Sequence, residues 1–543
     1  MQRLPGPRYW VIMTLLAVNM SLPGLAAQRT MPLLGGWAAR LDISSRPTVL
    51  RLRVTETPNH EYTATAFLNP EPIGLRPLVN IKVNRDGSSW SLATGEAPNL
   101  FRLDVRQNGE GFVTTYTVGK AAGRAQLRRL SDDAAMNSQY TGAYVLSSGE
   151  HIYIRRVFAG LLAGTVLSYL EERTGRSGIL YLVTSNSFVA GPSFAVPDPV
   201  GLTVTFRGDP TASLVWKPIG HKGLIGEKST SYKRQDVQIP VQDGSLGCEA
   251  LIPVSTGRHP GVVLVPGSGG VDRFADFYVM ADVFAQHGIA SLACDKRGTG
   301  VSTGDWRYQS FEQQAKDVVA GIRYLQDRIE VDPSGVGVWA FSQGTYAGPI
   351  AASTGQASFL ILVAVEAISL REAVVISNVE KLRRQGVPNE EITRYKDYMG
   401  RWQQAIMEKD FKAAERAYQQ YEGATWLPGN RPAEQAWTTD WMWDRARLTW
   451  PYEPAPVLRT IKMPVLAFWG SEDQETLPSV HRPAFEQALR DVGNSDYTLR
   501  VIAGVGHSLW LDAPLVGSIG YTPEYIPGML EWLRTRITDK VKN

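Results

Sequence analysis

A run of apolar, β-favouring residues that stops abruptly on a serine constrains this chain more than any other stretch. Val336-Gly-Val-Trp-Ala-Phe341 has strand character, Ser342 ends it, Gly344 and small residues follow, and Ala347 to Ala352 reads as the start of a buried helix. A strand that turns directly into a helix holds its corner residue in a strained backbone conformation, and only small neighbours leave room for it. The pattern G-x-S-x-G stands here as Ala340-Phe-Ser342-Gln-Gly344, where the first position demands a small side chain more than it demands glycine. Ser342 is therefore a candidate nucleophile, on condition that the chain also supplies a base, an acid and an oxyanion hole. Without them, S-x-G is an ordinary turn.

The surrounding chain alternates strands with helices. Pro260 to Pro266 and Ile289 to Cys294 read as strands, and Phe274, Phe277, Tyr278, Ala281, Phe284 and Ala285 fall on one helical face between them. Phe311, Ala315, Val318, Val319, Ile322 and Leu325 form a second amphipathic helix, and Phe359–Val365, Val465–Trp469 and Tyr497–Ile502 are further strands. This grammar predicts an α/β fold over 230–543, a mostly parallel sheet with helices on both faces. Between 368 and 452 the pattern breaks into polar helices, a cap insert at the C-terminal edge of the sheet, above the elbow. Trp437, Trp441 and Trp443 cluster within it. They are candidates for lining an apolar substrate pocket, and packing within the cap explains them equally well.

At 543 residues the chain exceeds one compact domain. Two β-rich regions precede the α/β grammar, 28–131 and 138–216, each a meander of short alternating strands forming a small sandwich or barrel. His151 sits in one such alternating strand and reads as a structural residue. The first 27 residues have the form of a secretory signal: Arg3 and Arg8, the apolar run Tyr9 to Val18, and small residues to Ala27. A cleaved signal implies a periplasmic or secreted protein, with an uncleaved anchor or a buried N-terminal helix as the alternative. No other stretch is long and apolar enough for a helical membrane span, so none is expected in the mature chain. A net charge of +3 gives no reason to expect nucleic acid as a partner. Cys248 and Cys294 either pair in an oxidising compartment or are two buried thiols, and their spacing suggests no metal site.

The chemistry demanded by Ser342 has candidates in chain order. His507, in the Gly-rich loop Ala503-Gly-Val-Gly-His507, follows a strand and lies downstream of the elbow. His481 is its rival, at what reads as the start of a surface helix. The strand Val465–Trp469 ends in Gly470-Ser-Glu-Asp473, where the orienting acid belongs, and Asp473 is preferred over Glu472 and Glu475. The oxyanion hole takes the backbone N–H of Gln343 and a second donor from Pro266-Gly-Ser268-Gly-Gly270, Ser268 or alternatively Gly269. That loop lacks the lysine and spacing of a phosphate-binding loop.

With these residues assembled, the stretch from about Pro260 onward resembles the α/β-hydrolase superfamily, in particular bacterial esterases of the dienelactone-hydrolase and serine-aminopeptidase-like groups. The resemblance is carried by Val265-Pro-Gly-Ser-Gly-Gly270, Asp295-Lys-Arg-Gly-Thr-Gly-Val-Ser-Thr-Gly-Asp305, Trp339-Ala-Phe-Ser-Gln-Gly344, Gly470-Ser-Glu-Asp473 and Gly504-Val-Gly-His507. The β-rich regions look like accessory domains found ahead of such esterases. The resemblance implies hydrolysis of a small-molecule carboxylic ester through an acyl-enzyme on Ser342, without a metal or organic cofactor. A peptidase or thioesterase on the same scaffold is the alternative, and a non-catalytic carbohydrate- or surface-binding protein is a third class. Nothing in the sequence speaks to oligomeric state.

Overall fold

The computed structural model describes residues 33–538 apart from 44–47, 70–76, 87, 96–99, 110, 133–136, 159–163, 428–440 and 512–519. The signal-like segment 1–27 and Trp437 lie outside the described residues.

The first β region is a closed antiparallel barrel. Its eight strands run from Gly35–Leu41 to Ala121–Leu130, and each pairs with the next in sequence. The first strand pairs with both the second and the eighth, Trp37 facing Leu52 on one side and Arg129 on the other, which removes any free edge. Alternation sends Trp37, Leu52, Trp90, Leu103 and Phe112 inward to a common core, while Arg102 and Asp104 face out.

The second β region closes in the same way. Gly142–Leu146 pairs with His151–Phe158 and with the final strand Leu224–Lys228. That closing strand lies beyond the expected boundary at residue 216. Its five residues, Leu224-Ile-Gly-Glu-Lys228, show no apolar alternation, so only its pairing reveals it. Tyr140, Tyr144, Phe188, Phe206 and Trp216 fill the interior. The two barrels are joined edge to edge, with Tyr181 and Leu182 paired to Leu130 and Arg129.

The C-terminal region is built on an eight-stranded sheet. Its strands are β1 (Tyr232–Val241), β2 (Gly244–Pro253), β3 (His259–Val265), β4 (Ala290–Cys294), β5 (Val331–Phe341), β6 (Leu360–Val363), β7 (Val465–Gly470) and β8 (Tyr497–Ile502). The spatial order is β1-β2-β4-β3-β5-β6-β7-β8, antiparallel at β1 and β2 and parallel from β4 onward. Helices α1 (Val279–Gln286), α2 (Phe311–Gln326) and α3 (Gly344–Ala351) connect the central strands. Fully buried β3, β6, β7 and the Val336–Ala340 stretch of β5 read as apolar runs because helices cover both faces. Cys248 on β2 faces Cys294 on β4, and the two form a disulfide.

The insert after β6 folds into α4 (Leu370–Arg384), α5 (Asn389–Glu408), α6 (Phe411–Gln420) and α7 (Trp441–Thr449). Val379, Ile392, Tyr395, Tyr398, Tyr418 and Tyr421 give it a core of its own. Two more helices, α8 (Pro478–Asp491) and α9 (Tyr525–Leu533), complete the region. Among the described residues, no helix is long and apolar enough to cross a membrane.

A buried ion network fastens the second barrel to the C-terminal region. Arg155, 3 % exposed, donates from Nη1 to Asp282 Oδ2 at 2.7 Å and from Nη2 to Glu249 Oε2 at 2.9 Å. Arg234 pairs with both acids, and the Tyr232 hydroxyl donates to Asp282 Oδ1 at 2.6 Å. Removing one partner of a buried pair leaves a charge short of its counterion, which costs about 3–5 kcal/mol. Arg155→Met is expected to destabilise the protein by about 3 kcal/mol, the low end, because Arg234 still reaches both carboxylates. The midpoint of chemical denaturation checks this, and a change under about 1 kcal/mol would show the network to be dispensable.

Candidate active site

Ser342 stands at the junction of β5 and α3 with φ of 52°, a conformation that costs a non-glycine residue energy and marks the corner as an imposed one. Its N–H donates to Val363 O on β6 at 2.9 Å, and its carbonyl accepts from the Thr345 N–H and hydroxyl at 2.8 and 2.7 Å. Gly344 is required here by space: a Cβ there would lie 2.6 Å from Pro266 O and 2.7 Å from Val265 O.

His507 reaches the serine from the loop after β8, with Nε2 2.8 Å from Ser342 Oγ. Its Nδ1 lies 2.9 Å from Asp473 Oδ2, in the loop after β7. The two loops are laced together: Ser471 N–H donates to Ile502 O, Glu472 N–H to Val505 O and Gly504 N–H to Ser471 Oγ. Gly470 makes that approach possible, since a Cβ there would sit 2.2 Å from Val505 O and 2.3 Å from Gly506 O. Asp473 is 1 % exposed, and its carboxylate accepts from the N–H groups of Glu475 and Thr476 at 2.8 and 3.0 Å and from the Thr476 hydroxyl. Burial pushes the Asp473 pKa up, but the hydrogen bond and charge of His507 and these donors win, and it is held below the usual carboxylate range. Burial conversely pulls His507 down, and the hydrogen bond and charge of Asp473, with Glu475 and Glu366, outweigh it and raise His507 above its ordinary value. Glu475, the alternative acid, stands 3.7 Å from Nε2 with its side chain 61 % exposed.

The other side of the serine is formed by the loop 266–270. Gly267 packs against it, within 3.2 Å of Ser342 Cβ for a built Cβ. Lys296, one residue past Asp295 after β4, sends Nζ to the carbonyls of Gly267 and Gly269, the latter at 3.2 Å. A trans peptide points its C=O and the following N–H in opposite directions. Pinning these two carbonyls therefore turns the N–H groups of Ser268 and Gly270 away from the lysine. Burial, with Arg445 adding to it, brings the Lys296 ammonium down to about 7.

Arg445, Trp306 and Glu366 stand at the site without being singled out by the sequence, alongside candidates that are. Arg445 on α7 donates to Gln343 Oε1 at 2.5 Å and to Trp306 O at 2.9 Å, with its guanidinium 4.9 Å from the Trp306 ring. Trp441 meets that ring edge-on at 5.1 Å, while Trp443 packs with Ala405 and Ala414 inside the cap. Glu366, directly after the apolar run of β6, is buried beside Tyr346, whose hydroxyl donates to Oε2 at 3.3 Å. Burial raises its carboxyl to about 8. A carboxylate ending a core strand was a signal available in the sequence. His481 is not on a surface, as its position suggested. It is 1 % exposed, on the α8 face shared with Phe485 and Leu489, and its Nδ1 accepts the Ala367 N–H at 3.0 Å. Burial lowers it to about 4, so it stays neutral.

Residues 262–516 match a family model described as the alpha/beta hydrolase family. No curated protein matches the chain. Among solved structures, the Pyrococcus furiosus esterase Pf2001 is similar over 56 % of this chain and 92 % of its own, at 16 % identity and a TM-score of 0.38. The alpha/beta hydrolase GrgF from Penicillium sp. sh18 is similar over 56 % of this chain and 99 % of its own, at 18 % identity and a TM-score of 0.39. Est1E from Butyrivibrio proteoclasticus, solved with ferulic acid bound, is similar over 56 % and 99 %, at 15 % identity and a TM-score of 0.36.

Proposed function

From a chain whose C-terminal region belongs to the α/β-hydrolase superfamily and is a hydrolase of that family, we propose that it cleaves small-molecule carboxylic esters through an acyl-enzyme on Ser342. The carrying observation is the continuous relay from Ser342 Oγ through His507 to Asp473, at 2.8 and 2.9 Å. His507 Nε2 takes the hydroxyl proton as Oγ attacks the ester carbonyl. The Gln343 N–H, at the start of α3, and the Ser268 N–H, fixed by Lys296, receive the developing oxyanion, with Gly269 as the alternative donor. The alkoxide leaves with the proton held on Nε2. Water then enters, loses a proton to the same nitrogen, and releases the acid. Asp473 keeps the Nδ1 proton in place and stabilises the imidazolium. Trp306 and Trp441, tied to Gln343 beside the nucleophile through Arg445, are the candidate apolar wall for the substrate. The signal-like N-terminus and the Cys248–Cys294 disulfide support work in an oxidising compartment, the periplasm or the exterior.

The test compares p-nitrophenyl esters with p-nitroanilides carrying the same short acyl group. Faster ester turnover is expected, together with covalent labelling of Ser342 by a fluorophosphonate. A preference for the amide would reassign the protein as a peptidase.

A further inference from the structure

Away from the relay, two histidines from different domains converge on one carboxylate. His151 opens a strand of the second barrel, and Glu172 directly follows the neighbouring strand Thr165–Glu171. His287 comes from the C-terminal region, as the residue that closes α1. His287 Nε2 lies 3.0 Å and His151 Nδ1 3.2 Å from the same atom, Glu172 Oε2. The Tyr153 hydroxyl also donates to Oε2. Three donors on one carboxylate oxygen exceed its two lone pairs, whereas Oε1 is 3.4 Å from His151.

A divalent cation resolves this crowding. It takes one lone pair from each neutral imidazole and one from Oε2, and leaves Tyr153 to hold the carboxylate from behind. The three donor atoms lie within 4.8 Å of one another. Donors bound at about 2.0–2.2 Å to a tetrahedral or octahedral ion stand about 2.8–3.6 Å apart, which the separations of each histidine from Glu172 Oε2, 3.0 and 3.2 Å, already match. An independent observation agrees. A cavity of about 740 Å³ is bordered by Glu150, His151, Glu172, Arg173 and His287. Glu150 Oε1, on a residue that borders this cavity, is buried without a hydrogen-bond partner among the described residues. A buried carboxylate oxygen lacking a donor is costly, and the positive charge of a cation held by the neighbouring residues offsets part of that cost.

We propose that His151, Glu172 and His287 form a divalent transition-metal site, suited to Zn²⁺ by its two imidazoles and one carboxylate, which faces this cavity and clasps the second barrel to the hydrolase domain. The site reinforces the interface already held by Arg155 and takes no part in the chemistry at Ser342.

The experiment uses the full chain, stripped with a chelator and dialysed against Zn²⁺, with bound metal read by mass spectrometry. About one equivalent is expected in the wild type, together with a rise in the thermal transition on adding Zn²⁺. Glu172→Gln and His287→Ala are each expected to lose both. His287 is exposed, so His287→Ala folds, and retained ester turnover by that variant verifies it. Wild-type protein that binds no zinc above background, or a His287→Ala variant that still binds one equivalent, overturns the site.

Discussion

Ser342→Ala is expected to lower turnover of a short-chain p-nitrophenyl ester by about a million-fold and to abolish fluorophosphonate labelling. The size follows from what the substitution removes. The relay delivers its proton-accepting nitrogen to a single oxygen, Ser342 Oγ at 2.8 Å. The neighbouring hydroxyl of Thr345 donates to the Ser342 carbonyl and is committed to the turn, so it does not replace the lost nucleophile. Alanine keeps the Cβ and hence the packing against the loop 266–270, and the backbone strain at φ of 52° is unchanged. Stability should therefore shift by less than about 1 kcal/mol. What remains is catalysis by the oxyanion donors and binding alone, about 10³–10⁴-fold over water. Single-turnover kinetics with intact-protein mass spectrometry measure both effects. Labelling that survives the substitution sinks Ser342 as the nucleophile.

The parts of this site that were legible in the sequence share a cause. The elbow, the Gly-rich loop 266–270 and the loop ahead of His507 all lie at strand ends, where local backbone geometry dictates residue type. Gly344 and Gly470 are needed because neighbouring carbonyls leave no room for a Cβ. Chain order then arranged Ser342, Asp473 and His507, because a parallel sheet collects the loops at one edge. Residues whose role depends on tertiary packing were not legible in this way. Lys296 lies in the stretch after β4 whose neighbours shape a turn, and nothing local says that its side chain crosses to the carbonyls of Gly267 and Gly269. Arg445 reaches Gln343 only because the cap folds back over the elbow. For His481 the signal was present and outweighed. Its spacing of four from Phe485 and eight from Leu489 marks an inner helix face, against the polar residues around it. Closure of the two barrels was hidden for a different reason. Alternation tells which face of a strand is buried, but the pairing of Trp37 with Arg129 joins strands at opposite ends of the meander and leaves no local trace. The pairing of Cys248 with Cys294 likewise needed the order of β2 and β4 in the sheet.

Asp473→Asn should cost about 10⁴-fold in kcat while leaving the fold intact, because it reverses the hydrogen bond to His507 Nδ1, and the Thr476 hydroxyl on the same side turns from donor to acceptor. Oδ1 of Asp473 accepts from the N–H groups of Glu475 and Thr476, so an asparagine must place its carbonyl oxygen there. Its NH₂ group then falls at the Oδ2 position, 2.9 Å from His507 Nδ1. Nδ1 becomes an acceptor, the ring proton moves to Nε2, and the face toward Ser342 loses the lone pair that a base requires. A second signature separates this from general damage. Burial pulls the His507 pKa down, and it is the hydrogen bond and charge of Asp473 that chiefly raise it above its ordinary value. Because the base works when neutral, wild-type kcat/KM rises with pH through that raised pKa. With the aspartate gone the pKa falls, so the residual activity of the variant should reach its plateau at lower pH than the wild type. Glu475→Gln is the comparison: its carboxylate is largely exposed and 3.7 Å from Nε2, and solvent screening limits its effect to about a few-fold. A loss in Glu475→Gln as deep as in Asp473→Asn, with no displacement of the acidic limb in the latter, would transfer the orienting role from Asp473 to Glu475.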